Sequence, residues 1–161
     1  MPNRTQKPDR RRRGNAFVEA GLVIVPFMAL VLGITEYSLA LFVRTTMQHA
    51  VREGVRYAVT YQVMPSMCQD ASIKETVRVN AMGFLKAADV TSSLFVRYYR
   101  PDTLVLTTEN KPGNLVEVSV ENFQWRWIAP LWRSATPLTI VARSLDRMEG
   151  LPGGTFAPPC R

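Results

Sequence analysis

The residues able to do chemistry are few and scattered. His49 is the only histidine in 161 residues, and it falls on the polar side of a helical pattern, where the plain reading is a solvated or interfacial side chain. With Cys68 and Cys160 far apart in the chain, one histidine cannot assemble a usual zinc site. No glycine-rich phosphate loop, no G-x-S-x-G elbow and no carboxylate cluster stands in the sequence. The chain therefore reads as no enzyme, with no metal and no cofactor. Chemistry done to it is better motivated. Arg13-Gly14-Asn15 sets a glycine, whose backbone enters a protease cleft with no side chain in the way, at the edge of a long apolar run. Glu19 follows four residues after Asn15, about 6 Å along a helix, and an ionised carboxylate at the edge of hydrocarbon is costly. A cut between Gly14 and Asn15 would create an α-ammonium at the depth of Glu19 on a neighbouring copy; the alternative is that Glu19 simply reaches back to the interface. In an exported domain Cys68 and Cys160 meet an oxidising compartment, where they are free to pair. Closing a loop of that length contributes on the order of 4 to 5 kcal/mol by chain entropy, but two cysteines do not by themselves establish a bridge.

The element that positions Gly14, Asn15, Glu19 and Glu36 is the apolar run itself. From Ala20 to Thr35 there is no charge, and beyond Glu36 the run resumes through Val43. Roughly 20 apolar residues at about 1.5 Å each span a bilayer core of about 30 Å, so residues 15–43 read as a transmembrane helix. The net charge of +7 is concentrated ahead of it, in Arg4, Lys7 and Arg10 to Arg13. Basic groups flanking a membrane segment are retained on the cytoplasmic side, which puts residues 1–14 inside and the rest of the chain outside. No aromatic residue interleaves the arginine run, which argues against nucleic acid as a partner. The leader has no apolar period and is expected to be disordered. Pro26 removes one backbone donor, so a bend is expected there, and Gly21 and Gly33 are small enough to let another helix approach. Counted from Phe17, Glu36 lies about 28 Å up the helix, at the outer interface, where a contact between subunits is the favoured reading over a role in transport.

Past Arg44 the pattern becomes amphipathic. Met47, Val51, Gly54, Val55 and Ala58 fall on one side and His49, Arg52, Glu53 and Arg56 on the other, the i, i+3, i+4 spacing of a helix packed on a domain. One long helix is predicted from about Ala16 to Val63, ending before Pro65. Ser72-Ile-Lys-Glu75 fits a capping box, with Ile73, Val77, Ala81, Phe84 and Leu85 as the apolar face of a second helix. Strands are predicted at Leu94–Tyr99, Thr103–Thr108, Leu115–Trp127 and Leu138–Met148, with Asn110-Lys-Pro-Gly113 as a turn. Helices first and strands after argue an α+β domain over residues 44–149, with an antiparallel sheet of about four strands. Residues 150–161 read as a flexible tail.

Gly14, Val18-Glu19, the apolar run with Pro26, Leu32-Gly33-Ile34-Thr35-Glu36-Tyr37 and Ala50-Val-Arg-Glu-Gly-Val-Arg-Tyr-Ala58 together resemble the amino-terminal half of TadE-like proteins, minor pilins or pseudopilins of the Tad (Flp) pilus system. Pro137 to Glu149 is similar to that family's closing strand. The resemblance implies a class III signal peptide, cut by a prepilin peptidase on the cytoplasmic face of a bacterial inner membrane. Gly14 would be the last leader residue, Asn15 the new N-terminus and Glu19 the fifth mature residue. It implies further that the helix stays attached as the packing stem of a filament or its assembly platform, that the partners are the membrane, the peptidase, other pilin or pseudopilin subunits and the Tad platform, and that surface adhesion follows. Asn15 departs from the phenylalanine common at the first position of type IV pilins, which bears on N-methylation. The family commonly has an acid at the position of Glu36. The outer domain is longer than the tiny major Flp pilin, which implies a minor or accessory role. Two other readings stand beside this one. The helix could be a cleaved secretory signal with Ser38-Leu39-Ala40 as its cleavage site, or a plain anchor whose outer domain binds a partner without polymerising, through Trp125, Trp127 and Trp132. Those tryptophans suit a core or a membrane-surface contact equally well.

Overall fold

Helix α1 (Arg10–Val59) is assigned as one helix of 50 residues with Pro26 inside it, and is about 75 Å long at 1.5 Å per residue. The computed structural model describes residues 10–128, 136–150 and 159–161, with side chains in α1 from Ala16 onward. Residues 1–9 of the leader, Trp132 and residues 151–158 of the tail lie outside the described residues. The helix ends four residues before Val63, the expected end. Tyr61 takes a left-handed φ of 54°, and the amides of Tyr61 and Gln62 fold back to the carbonyls of Ala58 and Tyr57, which closes the last turn.

Along α1 the surroundings change sharply. Residues 16–28 are all exposed, whereas from Ala40 onward one face is buried, through Val43, Met47, Ala50, Val51, Val55 and Ala58. That stripe recurs every third to fourth residue and is the side that packs on α2 (Gln69–Asn80) and on the sheet. Gly54 marks the closest approach, since a Cβ built there would collide with Cγ2 of Val77 on α2. Helix α2 starts three residues ahead of the expected capping box, with Cys68 as its N-cap. The box does not form because its two side chains are engaged elsewhere. The Ser72 hydroxyl donates to the Cys68 carbonyl (3.0 Å) and accepts the Met64 amide (3.0 Å), while Glu75 is taken by Arg78. A short helix α3 (Ala87–Ser93), not anticipated from the sequence, leads directly into the sheet, its first turn closed by the Asp89 carboxylate on the Lys86 amide.

Strands β1 (Leu94–Tyr99), β2 (Leu106–Thr107), β3 (Leu115–Trp125) and β4 (Leu138–Arg147) form one antiparallel sheet in the order β2-β1-β3-β4. The architecture is thus the expected α+β one, a long helix, a second helix and then a four-stranded antiparallel sheet. β2 is cut to two residues because Leu104 turns left-handed, at φ 54°. Val116, Val118 and Val120 of β3 all point at the helices and are fully buried. Between Val120 and Phe123 the register with β4 slips, and Asn122 takes a φ of 59°. This bulge reverses which residues face inward, so that Phe123 and Trp125, rather than even-numbered positions, pack on the core. It also carries the end of β3 toward α1.

Candidate functional site

The surface with the clearest physical demand is the first half of α1. Its most apolar 18 residues have a mean hydropathy of 2.4, and none of that window is buried. Phe17 is 84% exposed and Leu22 74%. An apolar surface this long and continuous is not left to water. This helix has the length and composition of a single-pass membrane anchor. Gly14 and Asn15 lie on its helical backbone, so a cut between them requires the first turns to open, as helix ends do at little cost. Glu19 is exposed on the apolar stretch. It stands 17 residues below Glu36, about 26 Å along the axis, and the two acids do not meet.

Glu36 is turned into its own chain. It is 4% exposed, and its Oε1 accepts the backbone amide of Ile128 at 2.5 Å. A carboxylate accepting a backbone N–H is a charge-assisted bond, stronger than a neutral one. Here it holds the segment after β3 against the helix at the top of the apolar stretch. The Trp127 indole N–H donates to the Thr136 carbonyl at 3.2 Å, tying together the two ends of the excursion between β3 and β4. Trp125 packs on the core and Trp127 is half-buried, while Ile128 is 68% exposed. His49 is exposed on the polar side of α1. Among the described residues no group of histidine, cysteine and acidic side chains could hold a metal ion.

At the opposite end of the domain Cys68 and Cys160 are joined by a disulfide, with Cα atoms 4.9 Å apart. The last three residues of the chain are held down around it. The Gln69 amide donates to the Cys160 carbonyl (2.7 Å), and the Asn110 side-chain amide donates to the carbonyl of Pro159 (3.1 Å) and to Gln69 Oε1 (2.5 Å). Arg161 bonds the Asp70 carboxylate at 3.0 to 3.1 Å and covers the ring of Tyr98, whose hydroxyl donates to the same carboxylate at 2.9 Å. Burial and the neighbouring Asp70 charge push the Tyr98 hydroxyl far above its ordinary range. Sequence reasoning left the Cys68–Cys160 bridge open and did not foresee the contacts of Gln69, Asp70, Asn110 and Arg161 around it.

The outer face of the sheet carries a charge ladder. Arg97 donates to both oxygens of Glu121 (2.7 and 3.2 Å), while Glu117 and Arg143 stand 3.7 to 3.8 Å from this pair. The Arg97 hydrogen bonds hold the Glu121 carboxyl down to about 2 from its ordinary 4.5. A depressed folded-state value means the stabilisation is complete above pH 4.5 and lost as the pH falls toward 2. Glu121→Gln is expected to cost about 1 kcal/mol at neutral pH, the upper range for a solvent-screened pair. Urea titrations of both proteins should converge as the pH is lowered through that window, and a gap that stays constant with pH contradicts this assignment.

Comparison with curated proteins and with solved structures gives no match. A family model does match, over the helix whose exposed apolar half and two acids have just been described, and it stops before α2 and the sheet. Residues 14–56 match the model for the TadE-like protein family, and that likeness covers the amino-terminal helix alone.

Proposed function

We propose that the chain is a minor pilin or pseudopilin of a Tad (Flp) pilus, acting in pilus biogenesis and surface adhesion. The observation that carries the reading is the exposed apolar half of α1 within residues 14–56, the stretch that matches the family. In this proposal a prepilin peptidase in the inner membrane cuts between Gly14 and Asn15. The basic leader holds that end of the helix on the cytoplasmic side, and the domain stands on the other. The new α-ammonium of Asn15 meets Glu19 of a neighbouring subunit, which gives that exposed acid a partner in a medium where an unpaired charge is costly. Gly21 and Gly33, where an added Cβ would meet nothing within 4 Å, leave room for the neighbour's helix to come close. Glu36, bonded to Ile128 of its own chain, fixes the angle at which the domain leaves the helix and so shapes the surface that the next subunit or the Tad platform meets.

The test is a pair of variants. Gly14→Ala is expected to accumulate the longer, unprocessed form and to abolish pilus assembly. Glu19→Ala is expected to be processed and to remain in the membrane, yet fail to enter the filament. Full processing and normal pili in Gly14→Ala, read by gel mobility and electron microscopy, contradict the proposal.

A further inference from the structure

A groove of about 350 Å³ opens between α1 and the start of β4. Leu41, Leu138, Ile140 and Val141 make its walls apolar, and Tyr37 and Arg44 stand along the helical side. β4 is an edge strand of the sheet, and Leu138 and Val141 are 41% and 43% exposed there. Nothing in the mechanism of processing or of helix packing uses this groove.

Its height on the helix identifies what fills it. Arg44 is the first basic residue after Arg13. Arg44 lies 29 positions beyond Asn15, about 44 Å of helix, and a bilayer with its headgroups measures about 40–45 Å. With the new amino end at Asn15 in one headgroup layer, Arg44 stands at the other. Tyr37, 20 residues above Phe17, is about 30 Å up, at the matching edge of the hydrocarbon. The groove therefore runs from the edge of the acyl chains to the level of the phosphates, open to the lipid and cationic at its upper end. None of the described ion pairs uses Arg44. Its volume lies in the range of small-molecule sites.

We propose that this groove holds a phospholipid of the leaflet on the domain's side, with its phosphate on Arg44 and the upper part of an acyl chain against Leu41, Leu138 and Val141. The proposal rests on the reading of α1 as a membrane anchor. Guanidinium pairs with phosphate through parallel N–H donors, and the apolar edge of β4 is covered by lipid instead of being left to water. The lipid would brace the domain against the helix on the side of α1 that Leu138 and Val141 face.

The experiment places a benzophenone amino acid at Val141 in the full chain, irradiates native membranes and determines the mass of the products. The expected product is the chain carrying the mass of one phospholipid. Arg44→Gln should lower its yield about fivefold, the effect of one arginine near a lipid surface, and Arg44→Lys should keep most of it. A product joined to a second copy of the chain or to another protein overturns the proposal, as does a lipid adduct unchanged in Arg44→Gln. Fractionation separates the two levels. A chain recovered in the membrane fraction without adduct overturns the groove alone, whereas a chain recovered as soluble protein overturns the anchor and the groove together.

Discussion

Replacing both Cys68 and Cys160 with serine is expected to destabilise the α+β domain by about 4 to 5 kcal/mol. The bridge closes a loop with a sequence separation of 92, so its removal restores a large conformational freedom to the unfolded chain. The loss does not stop at chain entropy. Cys68 is the N-cap of α2, and the terminal segment it holds supplies the Cys160 carbonyl to Gln69, the Pro159 carbonyl to Asn110 and the Arg161 guanidinium to Asp70. Without the covalent tie those contacts must order a segment no longer fixed to α2, at an entropic cost they now avoid. Against a total stability of about 5–15 kcal/mol for an ordinary domain, the change is large enough to leave much of the population unfolded. Urea unfolding of the full chain in detergent, followed by tryptophan fluorescence, measures it. The double serine variant and the reduced wild type should show the same drop, and a loss below about 1 kcal/mol, the scale of a single net hydrogen bond, is inconsistent with a bridged native state.

The second large effect is expected at Gly54. Helices α1 and α2 approach closely there because Gly54 has no side chain, with Val77, Ile73 and Val118 against its open face. Alanine at this position brings two opposed effects. It gains about 1 kcal/mol of helix propensity over glycine and loses about 1–3 kcal/mol by overpacking against a stiff, fully buried valine. Gly54→Leu has no room on any side and is expected to cost about 3 kcal/mol or more. The same denaturation assay reads both variants. If Gly54→Leu folds as stably as the wild type, α1 and α2 do not cross as described. Because Gly54 lies within the matched stretch, at residues 14–56, the variant also separates domain folding from membrane insertion: the altered chain should still reach the membrane.

What could be read from the sequence and what could not divides along the range of the interactions. The apolar run marked a helix that stands exposed, while the stripe from Met47 to Ala58 and the alternation of Val116, Val118 and Val120 are local periodicities that each marked an element whose buried face was the expected one. β1 was legible to the residue, since Leu94 to Tyr99 is a run of mostly β-branched and aromatic side chains. The misplacements came where a side chain had a better partner than local sequence suggests. Ser72 and Glu75 fit a capping box until Met64, Cys68 and Arg78 compete for them. The bulge at Asn122 carries no glycine to announce it and follows from pairing with β4. Of the site, Glu19 and Glu36 stood out as acids in an apolar helix. That Glu36 is met by Ile128, 92 residues further on, depends on the bulge and on the path of β3. No periodicity encodes that, nor the groove beside Arg44, whose two walls come from opposite ends of the chain.

The central claim is that α1 is a processed, retained membrane helix and not an uncut anchor or a discarded signal. The most direct measurement is the N-terminus of the mature protein purified from membranes. The account predicts Asn15, with Glu19 as the fifth residue and the whole apolar stretch retained. A chain beginning at Met1 or Pro2 contradicts the processing claim, and one beginning at Leu41 contradicts the retention of the helix.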